Sequence, residues 1–311
     1  MALAATACSK PAASRQAVRA EAAETVVPEF SADSAFANVA AQVAFGPRTG
    51  GSAAHEACGR WLASELQRHG ADTIVLQQAE LNGFGPMTNI RATFNQTAPR
   101  RILLLAHWDS RPTADEDPDP ANHSKPIDGA NDGASGVGVL LELARLLGRQ
   151  PAAVGVDILF VDAEDAGTAG DDASWARGAQ YFADNLPYGP NEPMPTYGIL
   201  LDMVGGRGAR FHRELFSEVN ARALNSRVWN LAQQLGLANR FPDANGGAVT
   251  DDHLPLLRAG IPTIDIIETA NPQTGSFNPT WHTLADNLEN IDPQTLGDTG
   301  KLITTLIYSE K

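Results

Sequence analysis

Four largely apolar runs, at residues 101–106, 154–161, 197–204 and 262–267, constrain this chain more than any other feature. An unbroken apolar run, as opposed to an alternating one, marks a strand buried on both faces. Stretches of helical spacing lie between and after these runs, at 133–147, 173–185, 217–235 and 293–308. Strands that alternate with helices build a largely parallel sheet with helices on both faces. Upstream, residues 53–69 carry a helical stripe of Ala57, Trp61, Leu62 and Leu66, closed by Gly70. Residues 73–78 and 88–94 read as the strands of a hairpin or meander. The expected architecture is one α/β domain, a central mostly parallel mixed sheet flanked by helices.

That domain is expected to span residues 34–311. Residues 1–33 read as a flexible leader, rich in Ala, Ser and Glu and without an aromatic until Phe30. The small residues before Cys8 look like the tail of a bacterial lipoprotein signal, although the apolar stretch is too short for a complete one. The expectation is an exported protein, periplasmic or lipid-anchored at Cys8. No segment approaches the ~20 apolar residues of a transmembrane helix.

The formal net charge of -14 excludes two function classes. Nucleic-acid binding needs clustered Lys and Arg against phosphates, and a polybasic membrane surface needs the same. The two cysteines, Cys8 and Cys58, form no CxxC pair. A thiolate metal site is therefore not expected, and metal ligands must come from His, Asp and Glu. Cys58, on the helical stripe, reads as a small buried hydrophobe. A chain of 311 residues buries enough core to fold without disulfides.

In open α/β sheets ligands bind beyond the carboxyl ends of the strands. The first run here ends in His107-Trp-Asp109, the second in Asp162-Ala-Glu164-Asp165, and the third contains Asp202 near its end. The loop after the fourth leads to Trp281-His282, and Asp132 precedes the helix after the first. Each piece alone has a plain explanation. Asp132 could simply cap its helix, Glu164-Asp165 could be a solvated loop, and His282 could lie on the surface. Their convergence on one sheet edge is what points to a site. A catalytic zinc takes about three His or carboxylate ligands and leaves a position open. An acid beside a ligand but not bound to the metal is placed as general base, and Glu164 next to Asp165 fits that division. Among like charges its pKa should rise.

Six runs occur in order: His107-Trp-Asp-Ser-Arg-Pro112, Asp128-Gly-Ala-Asn-Asp-Gly-Ala-Ser-Gly136, Asp162-Ala-Glu-Asp165, Leu200-Leu-Asp-Met203, Asp251-Asp-His-Leu-Pro-Leu-Leu-Arg-Ala-Gly-Ile-Pro262 and Trp281-His-Thr-Leu-Ala-Asp-Asn287. As an ordered set they resemble the zinc aminopeptidase superfamily and, within it, the glutaminyl-peptide cyclotransferases. The resemblance runs from about Phe45 to the C-terminus.

It implies zinc held by Asp132, Asp165 and His282, with Glu164 as general acid/base. His107 and Asp202 match positions that hold a second zinc in the aminopeptidases. One ion is favoured, with that second site available. Asp202 and Asp251 are the further catalytic candidates, sharing a hydrogen-bonded acid network with Glu164. Trp281 is implied in the substrate pocket, and Trp108 joins it as a substrate-binding candidate. The implied activity is an acyl transfer: N-terminal glutamine of peptides or proteins closes to pyroglutamate and ammonia leaves. A monomer is expected. The alternatives are a two-zinc aminopeptidase and a non-catalytic envelope binding protein. Loss of Glu164 or His282 would have favoured the latter.

The sequence departs from the family pattern in places. Asp165 stands where most relatives carry Glu, and Asp265 where animal cyclases carry His. Ala106 and Ala134 hold none of the thiols of the animal disulfide. Trp61 reads as core, Trp175 as either pocket rim or helix packing. His123 and Lys125 lie in a long loop and are not expected to be ligands.

Overall fold

The protein was analysed as a computed structural model, which describes residues 1, 4, 26–190 and 192–311. Cys8 and most of the expected leader lie outside the described residues.

The strands are β1 (Thr73–Leu81), β2 (Gly85–Phe94), β3 (Arg101–His107), β4 (Gly155–Val161), β5 (Gly198–Leu201) and β6 (Thr263–Ile266). They form a six-stranded sheet in the order β1-β2-β4-β3-β5-β6. The β1-β2 hairpin is antiparallel and joins β4 antiparallel, whereas β4, β3, β5 and β6 run parallel. Every residue of β3 and of β4 is buried, as their largely apolar character requires, and the buried charges Arg101 and Asp157 pair with each other at 2.9 Å.

Helices α1 (Ala32–Val43), α2 (Ala53–Arg68), α3 (Ala134–Arg149), α6 (Arg222–Gln234) and α8 (Pro293–Tyr308) supply the larger core. Ile102, Leu104 and Ala106 of β3 point into it. Leu103 and Leu105 point the other way, toward Phe182 of α4 (Arg177–Asp184) and Leu256 of α7 (His253–Arg258). The alternation follows from the two-residue period of a strand. Both sheet faces are thus covered, as expected.

The chain leaves β3 through α3 to β4 on one side, then returns through α4 to β5 on the other. A crevice opens where the winding reverses, at the carboxyl ends of β3 and β5. His107 is the last residue of β3, and Asp202 directly follows β5.

Local differences from the sequence expectations have local causes. The helix expected over 217–235 is two, α5 (Leu215–Asn220) and α6, separated at Ala221, whose φ of -133° is not helical. The expected 173–185 helix starts only at Arg177, after a short 3-10 turn at Asp172–Ser174. The six-residue α7 was not expected; it occupies the Asp251–Pro262 run. The folded domain starts slightly upstream of the expected residue 34, because α1 begins at Ala32, where Ser31 accepts a hydrogen bond from the Ser34 amide and caps it. Phe30 packs against the core just before it. Cys58 is fully buried, and burial first of all pushes its thiol up to about 12. Among the described residues no helix is long and apolar enough to cross a membrane.

Candidate active site

Two groups of donors meet at the crevice: His107, Asp132 and Asp202, and Asp132, Asp165 and His282. Within each, one donor atom from every member lies within 4.8 Å of the others. Asp132 belongs to both. Its Oδ1 is 3.0 Å from His107 Nε2, and its Oδ2 is 3.5 Å from His282 Nε2.

Glycine makes this approach possible. Gly133 has φ 93°, and a Cβ there would lie 2.4 Å from the Asp109 carbonyl and 3.1 Å from the His107 ring. Gly133, not Asp132, is the N-cap residue of α3, and no side chain caps that helix. The Asp132 carboxylate is therefore free for the cluster, which removes its plain explanation. Asp286 fixes the preceding backbone by accepting from the Asn131 and Asp132 amides at 2.7 and 3.1 Å.

The two groups differ in a telling way. His107 Nε2 makes a 3.1 Å hydrogen bond to Asp202 Oδ1. Asp165 Oδ1 is just as near His282 Nε2, at 3.1 Å, yet neither Asp165 oxygen has a hydrogen-bond partner among the described residues. The atoms crowd one point without facing each other. Two buried carboxylate oxygens left so would be costly. A cation among Asp132, Asp165 and His282 satisfies them, and the donor set of one imidazole and two carboxylates suits zinc.

Glu164 adjoins this group. Its amide donates to Asp109 Oδ1 at 3.1 Å, and the Asp165 amide to Asp109 Oδ2 at 3.2 Å. Burial, then the charge of Asp251, pushes the Glu164 carboxyl well above its usual range. Burial and the neighbouring Asp202 raise Asp251 to about 7. The expected hydrogen-bonded network of Glu164, Asp202 and Asp251 is instead a set of acids coupled through charge. Asp202 bonds to His107, while Asp251 Oδ1 takes the Asp252 amide at 2.5 Å. Beneath them Asp265 is fully buried and pushed well above the usual carboxylate range by burial, then by Asp251 and Asp202.

Backbone strain concentrates here. Ala163, Met203 and His282, at or beside the site residues, have left-handed φ values of 56°, 49° and 53°. Non-glycine residues adopt this region at a cost and tend to do so at functional sites.

Above the acids lies a pocket of about 230 Å³ lined by Asp132, Glu164, Asp165, Asp202 and Asp251, with Trp281, Trp175 and Phe277 as aromatic walls. Trp281 stacks on His282 with centroids 3.8 Å apart, and Phe277 packs on Trp281 at 4.7 Å. Trp175 is thus at the rim. Trp108 is not in this pocket, which corrects its reading as a substrate-binding residue. Its ring is buried, stacks on His55 at 4.3 Å, and donates to the Thr88 carbonyl. Neighbours in an extended segment point to opposite sides, so His107 facing the site turns Trp108 away from it. Trp61 packs against Phe45 and the core, and His123 bonds to the Asp117 carbonyl, away from the donors.

The sequence reading missed Asp109, Asp286, Arg111 and Asp115 as residues that hold the site. The first three lie inside the quoted runs, and Asp115 follows the first run closely. Only the fold shows which backbone amides and rings their side chains reach.

Without metal, the cluster should bias stability toward acid. Burial and neighbouring acids raise Asp165 to about 6 and Asp286 to about 7. A raised carboxyl costs nothing below its ordinary pKa, and its penalty grows as pH rises to the folded value. His282 is raised to about 10, because Asp165, Asp115 and Asp132 outweigh burial. Its stabilisation is complete below an ordinary histidine pKa and is lost as pH rises through that folded value. Both slopes have the same sign. The melting temperature of metal-free protein should fall between about pH 5 and pH 9, while the gain on adding zinc should grow, because ligands must shed protons to bind. Thermal melts with and without a chelator check this; a metal-free profile that rises with pH would contradict it.

The crossover sheet, the crevice at its switch point and a three-donor site beside an unbound acid define a metal-dependent α/β enzyme. The model of peptidase family M28 matches residues 89–307. The chain belongs to peptidase family M28. It is similar to a glutaminyl cyclase of Bacteroides thetaiotaomicron, solved bound to N-acetylhistamine, at 44% identity over 92% of this chain and 100% of that one, with a TM-score of 0.88. It is also similar to a structure described as a leucine aminopeptidase precursor from Bacteroides thetaiotaomicron VPI-5482, at 43% identity over 93% and 100%, TM-score 0.88. The glutaminyl-peptide cyclotransferase of Bos taurus is 26% identical over 83% of this chain and 76% of its own length. The matching enzyme of Gloydius blomhoffii is spanned to 66% of its length.

Proposed function

We propose that the protein is a zinc-dependent glutaminyl-peptide cyclotransferase, which converts N-terminal glutamine of peptides and proteins to pyroglutamate and releases ammonia. The observation that carries this reading is the asymmetry of the two donor groups. His107 and Asp202 are joined by a hydrogen bond, whereas the Asp165 oxygens have charge contacts with His282 and Arg111 but no hydrogen-bond partner among the described residues. One ion at Asp132, Asp165 and His282 completes the site. Hydrolysis of a peptide by the two-metal route needs a second ion to hold the attacking hydroxide. Cyclisation needs no water, since the nucleophile is the substrate's own α-amine. The relatives described as glutaminyl cyclases support the reading.

When bound, zinc would supply Lewis-acid polarisation of the glutamine side-chain carbonyl. The aromatic walls Trp281, Trp175 and Phe277 line the pocket and would hold the side chain folded back on its amine. That geometry alone lowers the barrier, since the attack is intramolecular. Glu164 takes the proton that the α-amine loses as its nitrogen bonds to the side-chain carbonyl carbon. It then gives that proton to the amide nitrogen, whose bond to the same carbon breaks as ammonia departs. A carboxyl whose pKa is pushed up by burial and by Asp251 suits both transfers. Asp202 and Asp251 line the same pocket as Glu164 and would accept the N–H groups of the leaving nitrogen.

The second reading, a two-zinc aminopeptidase, rests on Asp132, which stands between both histidines as a bridging ligand would. Ammonia release from a Gln-initiated dipeptide, beside hydrolysis of leucine anilide and each with and without a zinc chelator, separates the two. Chelator-sensitive ammonia release without anilide cleavage is the expected result. Anilide cleavage without ammonia would make the chain an aminopeptidase.

A further inference from the structure

Arg111 sits at the junction of everything that shapes the pocket. Its guanidinium is nearly fully buried. Nε and Nη2 donate to the two Asp115 oxygens at 3.1 and 2.7 Å, a bidentate pair. Nη1 donates to the carbonyls of Asp165 and Gly167 at 2.9 and 2.8 Å. Its Cζ lies over the Trp175 ring, 4.7 Å from the centroid, a cation–π contact. One side chain therefore touches the loop of one candidate ligand, the pocket wall, and Asp115.

Asp115 reaches the other ligand. Its Oδ1 lies 3.4 Å from His282 Nδ1. The segment around it grips the same histidine by its backbone: the Glu116 amide donates to the His282 carbonyl at 3.1 Å, and Asp117 accepts from the Leu284 amide at 3.0 Å. His282 carries a left-handed φ of 53°. Such a backbone persists only where its surroundings hold it. A proton on Nδ1, the nitrogen nearer Asp115, would leave the lone pair of Nε2, 3.5 Å from Asp132 Oδ2 and 3.1 Å from Asp165 Oδ1, for the metal. A carboxylate behind a ligating imidazole fixes the tautomer and raises its basicity.

We propose that Arg111 and Asp115 form a positioning clamp that sets His282, the Asp165 loop and the Trp175 wall as one unit, so that metal affinity and substrate binding are coupled through this pair. The inference rests on the reading that Asp132, Asp165 and His282 hold zinc. Neither residue touches the reacting atoms; both act through others. Lysine at position 111 would keep the charge, but its three donors cannot replace the four bonds of Arg111, and it has no planar group to stack on the indole.

The test uses the full chain. The zinc dissociation constants of wild type, Asp115→Asn and Arg111→Lys are measured by competition with a chromogenic chelator. Cobalt-substituted forms give visible spectra, and kcat and KM are taken for the Gln-initiated dipeptide. Asp115→Asn should weaken zinc binding about 10–100-fold, the usual cost of losing an outer partner of a ligand, and should shift the cobalt spectrum. Arg111→Lys should do the same and raise KM as well, because Trp175 loses its support. The Asp115 side chain is 35% exposed and Asn keeps an acceptor for Arg111, so Asp115→Asn decides the matter if Arg111→Lys fails to fold. Zinc affinity and cobalt spectrum of Asp115→Asn unchanged from wild type would overturn the clamp, as would a wild type that binds no zinc. A wild type that binds zinc and releases no ammonia, with Asp115→Asn still weakened, would sink the cyclase reading and leave the clamp standing.

Discussion

Glu164→Gln is expected to lower the rate of ammonia release by about 10²–10⁴-fold, the range that a positioned general acid/base contributes. Zinc affinity should stay close to that of wild type, because Glu164 is in neither donor group. The melting temperature should not fall and should rise for the metal-free protein. Glu164 is only 8% exposed, and the charges of Asp251, Asp252 and Asp165 all oppose its ionisation. A neutral amide of the same shape relieves that repulsion. The backbone there is held by Asp109 through the Glu164 amide, which the substitution does not touch. A stabilised, zinc-loaded and inactive variant is the signature of a residue kept for chemistry at a cost in stability. Activity within tenfold of wild type would remove Glu164 from the proton transfers. A loss of activity together with zinc would make it a ligand instead. Calorimetry beside the ammonia assay reads both.

Much of this was legible before the fold was known, and the reason is physical. A strand buried on both faces must be largely apolar, so the sequence itself marks where β3 and β4 end and where their polar followers begin. His107, Asp162 to Asp165 and Asp202 stand at those ends, and the parallel arrangement carries them to one edge. Asp132 and His282 were harder, since a long loop must bring each of them back. Their place came from family resemblance, and the structure puts both beside Asp165.

The illegible part concerns where side chains point. Trp108 lies between a donor and the residue that holds the Glu164 loop, yet its ring turns away to His55. Nothing in composition separates it from Trp281, which stacks on His282. The α5–α6 break was equally hidden, because Glu214, which caps α5 by accepting from the Phe216 and Ser217 amides, looks like any surface acid in sequence. Arg111 and Asp115 resemble an ordinary surface ion pair at four-residue spacing. Only the buried carbonyls and the indole around the guanidinium distinguish them.

The number of metal ions can be read from a pair of substitutions. Asp132 stands in both donor groups, so Asp132→Asn should cost more zinc affinity than the roughly 10–100-fold of a lost outer partner, and ammonia release should vanish with it. His107→Gln discriminates further. If one ion is bound by Asp132, Asp165 and His282, the zinc stoichiometry of this variant equals that of wild type, and only the support of Asp202 is lost. Asp202 would then lack its 3.1 Å partner while remaining buried, so its carboxyl should take up a proton more readily and the rise of activity with pH should move to higher pH. If two ions are bound, the stoichiometry falls from two to one, and the His107–Asp202 bond is a feature of the metal-free form alone. Metal analysis of dialysed wild type and His107→Gln decides between these. The first outcome agrees with a site in which the α-amine is the only nucleophile needed. The second places a metal next to Asp202, where cyclisation would need the leaving nitrogen, and supplies what a hydrolytic enzyme requires.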